Sequence, residues 1–83
     1  MNDRPRQVTA TQTTVYVVDA AEIRAELARQ DITQDDLAHR VGMSPSALSR
    51  RLAGLQPFEL QELEGIAAAL GVPAKRYLRE PKS

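Results

Sequence analysis

In the stretch GMSPSALSRRLAG, residues 42–54, Arg50 and Arg51 stand side by side between Leu48 and Leu52. A guanidinium is permanently charged and planar, with five donors suited to a carboxylate, a phosphate or a base edge. Neighbours on a helix point about 100° apart, so the two arginines cannot share a face. The other chemistry-bearing residues are few. Asp35 and Asp36 are adjacent, so on a helix they do not face each other as a catalytic pair would, and they read as support for a helix N-terminus. His39 is the single histidine and the chain has no cysteine, which leaves no donor set for a metal. Nothing here supports nucleophilic, metal or phosphate-transfer catalysis; neither an enzyme nor a cofactor is expected.

The elements that must position the arginines follow from hydrophobic spacing and caps. Residues 1–12 are polar and contain Pro5, an arm without pattern. TTVYVV, residues 13–18, is β-branched and aromatic and reads as a strand. The remainder reads as helix. A first helix spans about residues 20–30, capped by Asp19 with Glu22 in a capping-box position, and buries Ile23 and Leu27. A second starts after Thr33, with Asp36 reciprocal to the cap, and turns Leu37, Ala38 and Val41 inward until Gly42 ends it. Ser44 caps a third, with Pro45 at its first position, where no amide donor is needed. Leu48, Leu52 and Leu55 would line its inner face, with Gly54 at its end. The fourth, about residues 59–70, carries Leu60, Leu63, Ile66, Ala67 and Leu70 at spacings of three and four. Gly71 stops it, and Pro73 opens a short fifth helix bearing Tyr77 and Leu78. The expected domains are an arm and strand over 1–18 and a helical domain over 19–83.

Composition bounds the function. In 83 residues, 42% of them hydrophobic, there is material for one small core. No apolar run approaches the roughly 20 residues of a membrane span, and the N-terminus has no signal-peptide core. The expectation is a soluble cytoplasmic protein, without a membrane or small-molecule partner. Eleven basic residues balance eleven acidic ones, which argues against coating nucleic acid by bulk charge but leaves room for a local basic face. Charge is uneven: Glu59, Glu62 and Glu64 precede the basic Lys75, Arg76, Arg79 and Lys82.

Two short helices joined by a glycine-containing turn suggest a helix-turn-helix, with the small Ala38 at the close approach and Leu48 locking the second helix to the core. The strings ITQDDLAHRVGMSPSALSRRLAG and ELQELEGIAAALGVPAKRYL resemble the Cro/cI-type (Xre) helix-turn-helix repressors of phages and bacteria over roughly residues 20–78. Gln34, Ala38, Gly42, Leu48 and Gly54 stand at family spacing, followed by IAAALGV. LSRRLAG with a following PFEL is similar to a variant common among actinobacterial and actinophage members. The resemblance implies an all-α, five-helix, lambda-repressor-like domain, here with a short N-terminal β-strand, whose third helix enters the DNA major groove.

On that helix Arg50 falls nearly opposite the leucines, with Ser46, Ser49 and Ala53 on its side, while Arg51 lies on the flank. Arg50 is therefore the candidate base reader, through guanine O6 and N7. Arg51 suits a phosphate, or pairing with Glu59 or Glu62; the family usually has an apolar residue there. Pro45 stands where many relatives carry a long base-reading side chain, which moves readout to Ser46, Ser49 and Arg50. Thr33 and Ser44 cap helices at the same surface and, with Pro45, are expected among the DNA-contacting residues, Thr33 through a phosphate. Gln34 could brace Ser46 or offer its amide to a phosphate, and Gln56 could approach a phosphate beside Pro57.

The expected function is a sequence-specific regulator, a Cro-like repressor that blocks polymerase from a palindromic operator on double-stranded DNA as a homodimer. At 83 residues, no separate sensing domain is expected. The alternative is an interaction module of the same fold, such as an antitoxin binding a toxin. The strand, with Thr14, Val15, Tyr16, Val17 and Val18, is the expected dimer contact, because a helical bundle offers it no sheet to join. The competing placement folds it back on the C-terminal segment.

Overall fold

A computed structural model describes residues 17–79. Strand β1, Val17–Val18, leads into α1, Ala20–Gln30; α2, Gln34–Val41; α3, Pro45–Leu52; and α4, Leu60–Leu70. A 3-10 turn, Ala74–Tyr77, and strand β2, Leu78–Arg79, follow. The core is built from Ile23 and Leu27 of α1, Leu37 and Ala38 of α2, Leu48 and Leu52 of α3, Leu63, Ile66, Ala67 and Leu70 of α4, and Tyr77, all buried.

The helix starts follow the local chemistry. The backbone N–H of Glu22 donates to Asp19 Oδ1 at 3.1 Å, that of Asp36 to Thr33 Oγ1 at 3.0 Å, and that of Ala47 to Ser44 Oγ at 3.1 Å. Each satisfies one of the amides a helix leaves unpaired at its start. At Asp19 only half of the expected capping box forms, because its own N–H donates to the Tyr77 carbonyl at 2.8 Å. At the start of α4 the Glu59 N–H donates to Glu62 Oε1 at 2.9 Å.

The ends share one device. After each α-helix a residue with positive φ lets two N–H groups reach back to the last carbonyls. Gly42 (φ 74°), Gly54 (φ 81°) and Gly71 (φ 75°) supply it after α2, α3 and α4, and Asp31 (φ 56°) after α1.

Three expectations are corrected. The fifth helix is a single 3-10 turn, so the fold has four α-helices. The chain leaves helical geometry there because the Tyr77 carbonyl is taken by the Asp19 N–H and Leu78 goes extended to pair with Val18. Leu55 does not extend the inner face of α3: the helix ends at Leu52, Gly54 turns the chain outward, and Leu55 is 74% exposed. Leu60, in the first turn of α4, is also exposed.

The strand does have a sheet to join. Val17 pairs with Arg79 and Val18 with Leu78, antiparallel, within the same chain. This is the fold-back placement for the two described strand residues; Thr14, Val15 and Tyr16 lie outside the described residues. Asp19 closes the junction, its Oδ2 accepting from Arg79 Nη2 at 2.8 Å.

Behind α1 sits a second closed network. Glu26, buried, accepts from Gln30 Nε2 at 2.9 Å and from Arg29 Nη2 at 2.7 Å, and Arg76 Nη1 lies 3.9 Å away. Gln30 Nε2 also reaches the Leu70 carbonyl at 2.7 Å, holding the end of α4 to α1. The Gln30 amide first, then the Arg29 hydrogen bonds, hold the Glu26 carboxyl below its ordinary range despite burial. Burial, followed by the Glu26 charge, pushes the Tyr77 phenol above its ordinary value. The Tyr77 hydroxyl is buried without a hydrogen-bond partner among the described residues.

Candidate nucleic-acid interface

The α2–turn–α3 unit is held together by apolar packing and by its turn. Ala38 and Leu48 are fully buried, so α2 and α3 approach closely over them. Gly42 occupies the left-handed region, and the Met43 N–H donates to the Ala38 carbonyl at 2.9 Å. A Cβ at Gly42 would meet nothing within 4 Å, so glycine serves the backbone conformation there and not a steric need.

With Leu48 and Leu52 inward, α3 presents Pro45, Ser46, Ser49 and Arg50 to the outside, all exposed. Ser46 and Ser49 make no side-chain hydrogen bond to any described residue. Thr33 and Ser44 are both engaged as caps, with their hydroxyls on Asp36 and Ala47. Gln34 is half-buried and its side chain makes no hydrogen bond to Ser46 or to any other described residue, so the bracing role is not formed. Its backbone N–H, one of the unpaired amides at the start of α2, is the group it offers.

The two arginines part company. Arg50 is exposed, and its Nε donates to Gln56 Oε1 at 3.4 Å. Arg51 is turned back: its Nε lies 2.9 Å from Glu62 Oε1, an ion-pair contact not aligned as a hydrogen bond, and its Nη1 donates to the Ala47 carbonyl at 3.2 Å. The side chains of Arg51 and Glu62 are 19% and 20% exposed. The pairing half of the Arg51 expectation is thus present in the fold.

A residue that sequence reasoning passed over completes the clamp on α3. Arg24 of α1 donates from Nη1 to the Leu52 carbonyl at 2.9 Å, across 28 positions of sequence. It satisfies a carbonyl at the negative end of α3 with a cation. No local signal marks Arg24, since its partner is a backbone atom brought near by packing. Arg24 and Arg51 together hold the C-terminal half of α3 against α1 and α4, while Ser46, Ser49 and Arg50 stay clear.

A family model described as helix-turn-helix matches residues 23–76, from the core of α1 to the 3-10 turn. The chain belongs to this helix-turn-helix family. Its Xre-type, Cro/cI-like character agrees with the resemblance in the sequence. The family is one of DNA-binding transcription regulators. Among solved structures, the complex of the SinR protein with the SinI protein is similar, with a TM-score of 0.64 and 25% identity over 70% of this chain. The match covers 57% of the SinR/SinI chain, so this chain spans little more than half of that length. No curated protein matches. Among the described residues there is no cluster of side chains that could hold a metal and no helix long and apolar enough to cross a membrane.

Proposed function

We propose that the protein is a sequence-specific transcriptional regulator of the Cro-like repressor kind, binding a palindromic operator as a dimer and excluding polymerase sterically. The observation that carries the reading is the division of labour on α3: Arg51 is committed to Glu62, whereas Arg50, Ser46 and Ser49 project outward from the helix that the family inserts in the major groove. Arg50 reads a base edge. Ser46 and Ser49 add shorter contacts, and Pro45 packs against a sugar or thymine methyl. The first amides of α2 and α3, held in place by Thr33 and Ser44, receive phosphates, with Gln34 and Gln56 at the margins.

Dimerisation is supported by apolar surface. Val17, Leu55 and Leu60 are each more than half exposed, and Val18 lines one groove with Leu55, Pro57 and Phe58. A two-fold axis here would pair the segment expected as the dimer contact, of which the structure describes Val17–Val18, with its symmetry mate and set two recognition helices about 34 Å apart. The antitoxin-like alternative draws support from the zero net charge and from Asp35 and Asp36 at the start of α2.

The test is fluorescence anisotropy on duplexes selected from random DNA, over a salt series, with mass by light scattering. A dimer that prefers one palindrome over competitor DNA, with a moderate salt slope of about −0.9 per phosphate contacted, is the expected result. A chain without preference for any duplex at low salt refutes the regulator reading.

A further inference from the structure

Arg50 and Gln56 are six residues apart and would diverge on a continuous helix. They meet because α3 stops. The Gly54 N–H donates to the Arg51 carbonyl at 3.1 Å and the Leu55 N–H to the Arg50 carbonyl at 2.9 Å, which folds the chain back over the last turn. Gln56 is thereby delivered beside Arg50, and its Oε1 accepts from Arg50 Nε at 3.4 Å. Both side chains belong to exposed residues.

We propose that Gln56 is a positioning residue that sets the base specificity of Arg50, a role that rests on α3 being the DNA-reading helix. A guanidinium has two edges able to make paired hydrogen bonds: one includes Nε, the other is formed by the two terminal nitrogens. With Nε held by Gln56, the terminal edge alone stays open, and it matches the O6 and N7 acceptors of guanine. The neighbouring arginine shows why the acceptor is an amide. Glu62 beside Arg51 orients that side chain and also neutralises it. A glutamine orients Arg50 and leaves its full charge for DNA. The carboxamide oxygen faces Nε, so the amide nitrogen turns outward as a donor.

The experiment measures preference at every base pair of a duplex selected from random DNA, by anisotropy at one salt concentration. The proteins are the parent, Arg50→Ala, Gln56→Ala, Gln56→Glu and the Arg50→Ala/Gln56→Ala double variant, with circular dichroism to confirm that each is folded. Arg50→Ala is expected to relax one guanine position. Gln56→Ala relaxes the same position by about 3- to 10-fold, the worth of one hydrogen bond, and adds nothing in the Arg50→Ala background. Gln56→Glu keeps the guanine preference while weakening every duplex, since it retains the acceptor but adds a negative charge. A uniform loss in Gln56→Ala with the guanine preference intact overturns the proposal, as does an equal effect of Gln56→Ala with and without Arg50. A parent that prefers no duplex removes the regulator reading and this role together. A parent preference untouched by Arg50→Ala removes this role alone.

Discussion

Around Glu26, polar groups are consumed by one another: Gln30 and Arg29 donate to its carboxylate, Arg76 lies close by, and Gln30 also secures the end of α4. Along the outer side of α3, Ser46 and Ser49 are left open and Arg50 gives up only its Nε. The two regions have similar residue types and opposite fates. A polar group near the core is desolvated and must be satisfied by the fold itself, whereas one on an exposed helix face keeps its donors for a partner. Arg50 and Arg51 compress the same contrast into adjacent positions.

The sharpest way to break the comparison is to exchange the roles of the two arginines. Arg50→Ala is expected to cost about 1–3 kcal/mol in binding a selected duplex and to leave thermal stability unchanged. Arg51→Ala should lower stability by about 1–2 kcal/mol, through the partly buried ion pair and the packing of its stem, and weaken all duplexes alike. Swapped outcomes in anisotropy and melting would mean that the committed and the open arginine have been assigned in the wrong order.

Acid titration tests the closed network. Because the Glu26 carboxyl is held below its ordinary range, the folded state binds the proton less readily than the unfolded state. Its contribution to stability is therefore present above the unfolded value, near pH 4.5, and is lost as pH falls through the lower folded value. Glu26→Gln should flatten the acid limb of a melting-temperature profile taken from pH 7 to pH 3; an unaltered limb would place the acid sensitivity in other carboxylates.

One group breaks the rule in the closed region, the Tyr77 hydroxyl, buried without a partner among the described residues. Tyr77→Phe removes it with the ring retained and should raise stability by about 1 kcal/mol, read by chemical denaturation. A loss of similar size would mean that the hydroxyl has a partner in solution. The smallest expected effect is at Asp31, the non-glycine residue with positive φ among the described residues. Asp31→Gly relieves the left-handed strain against a larger chain entropy, a net gain of a few tenths of a kcal/mol. An Asp31→Ala variant should be the less stable of the two.

Much of the scaffold was legible because its signals are local. Asp19, Thr33 and Ser44 cap the helices assigned to them, and Gly42, Gly54 and Gly71 end theirs, since a cap or a positive φ needs only a few neighbouring residues. The inward faces of α2 and α3 follow from spacing, as does the outward placement of Ser46, Ser49 and Arg50. Spacing failed at Leu55 and Leu60, where a helical period was carried past the turn at Gly54 and into the first turn of α4, beyond the reach of the core.

By itself the sequence determined four amphipathic helices, their caps, the glycine turn between α2 and α3, and an arginine opposite the buried leucines of α3, because each depends on covalent geometry and helical period. Tertiary structure alone decided which of the acids near α4 takes Arg51, that Arg24 holds the end of α3, that Val17 and Val18 pair with Arg79 and Leu78, and that the segment after Pro73 makes one 3-10 turn. These contacts join groups distant in sequence, or backbone atoms that carry no residue-specific mark. They form only once hydrophobic burial has placed the helices against one another.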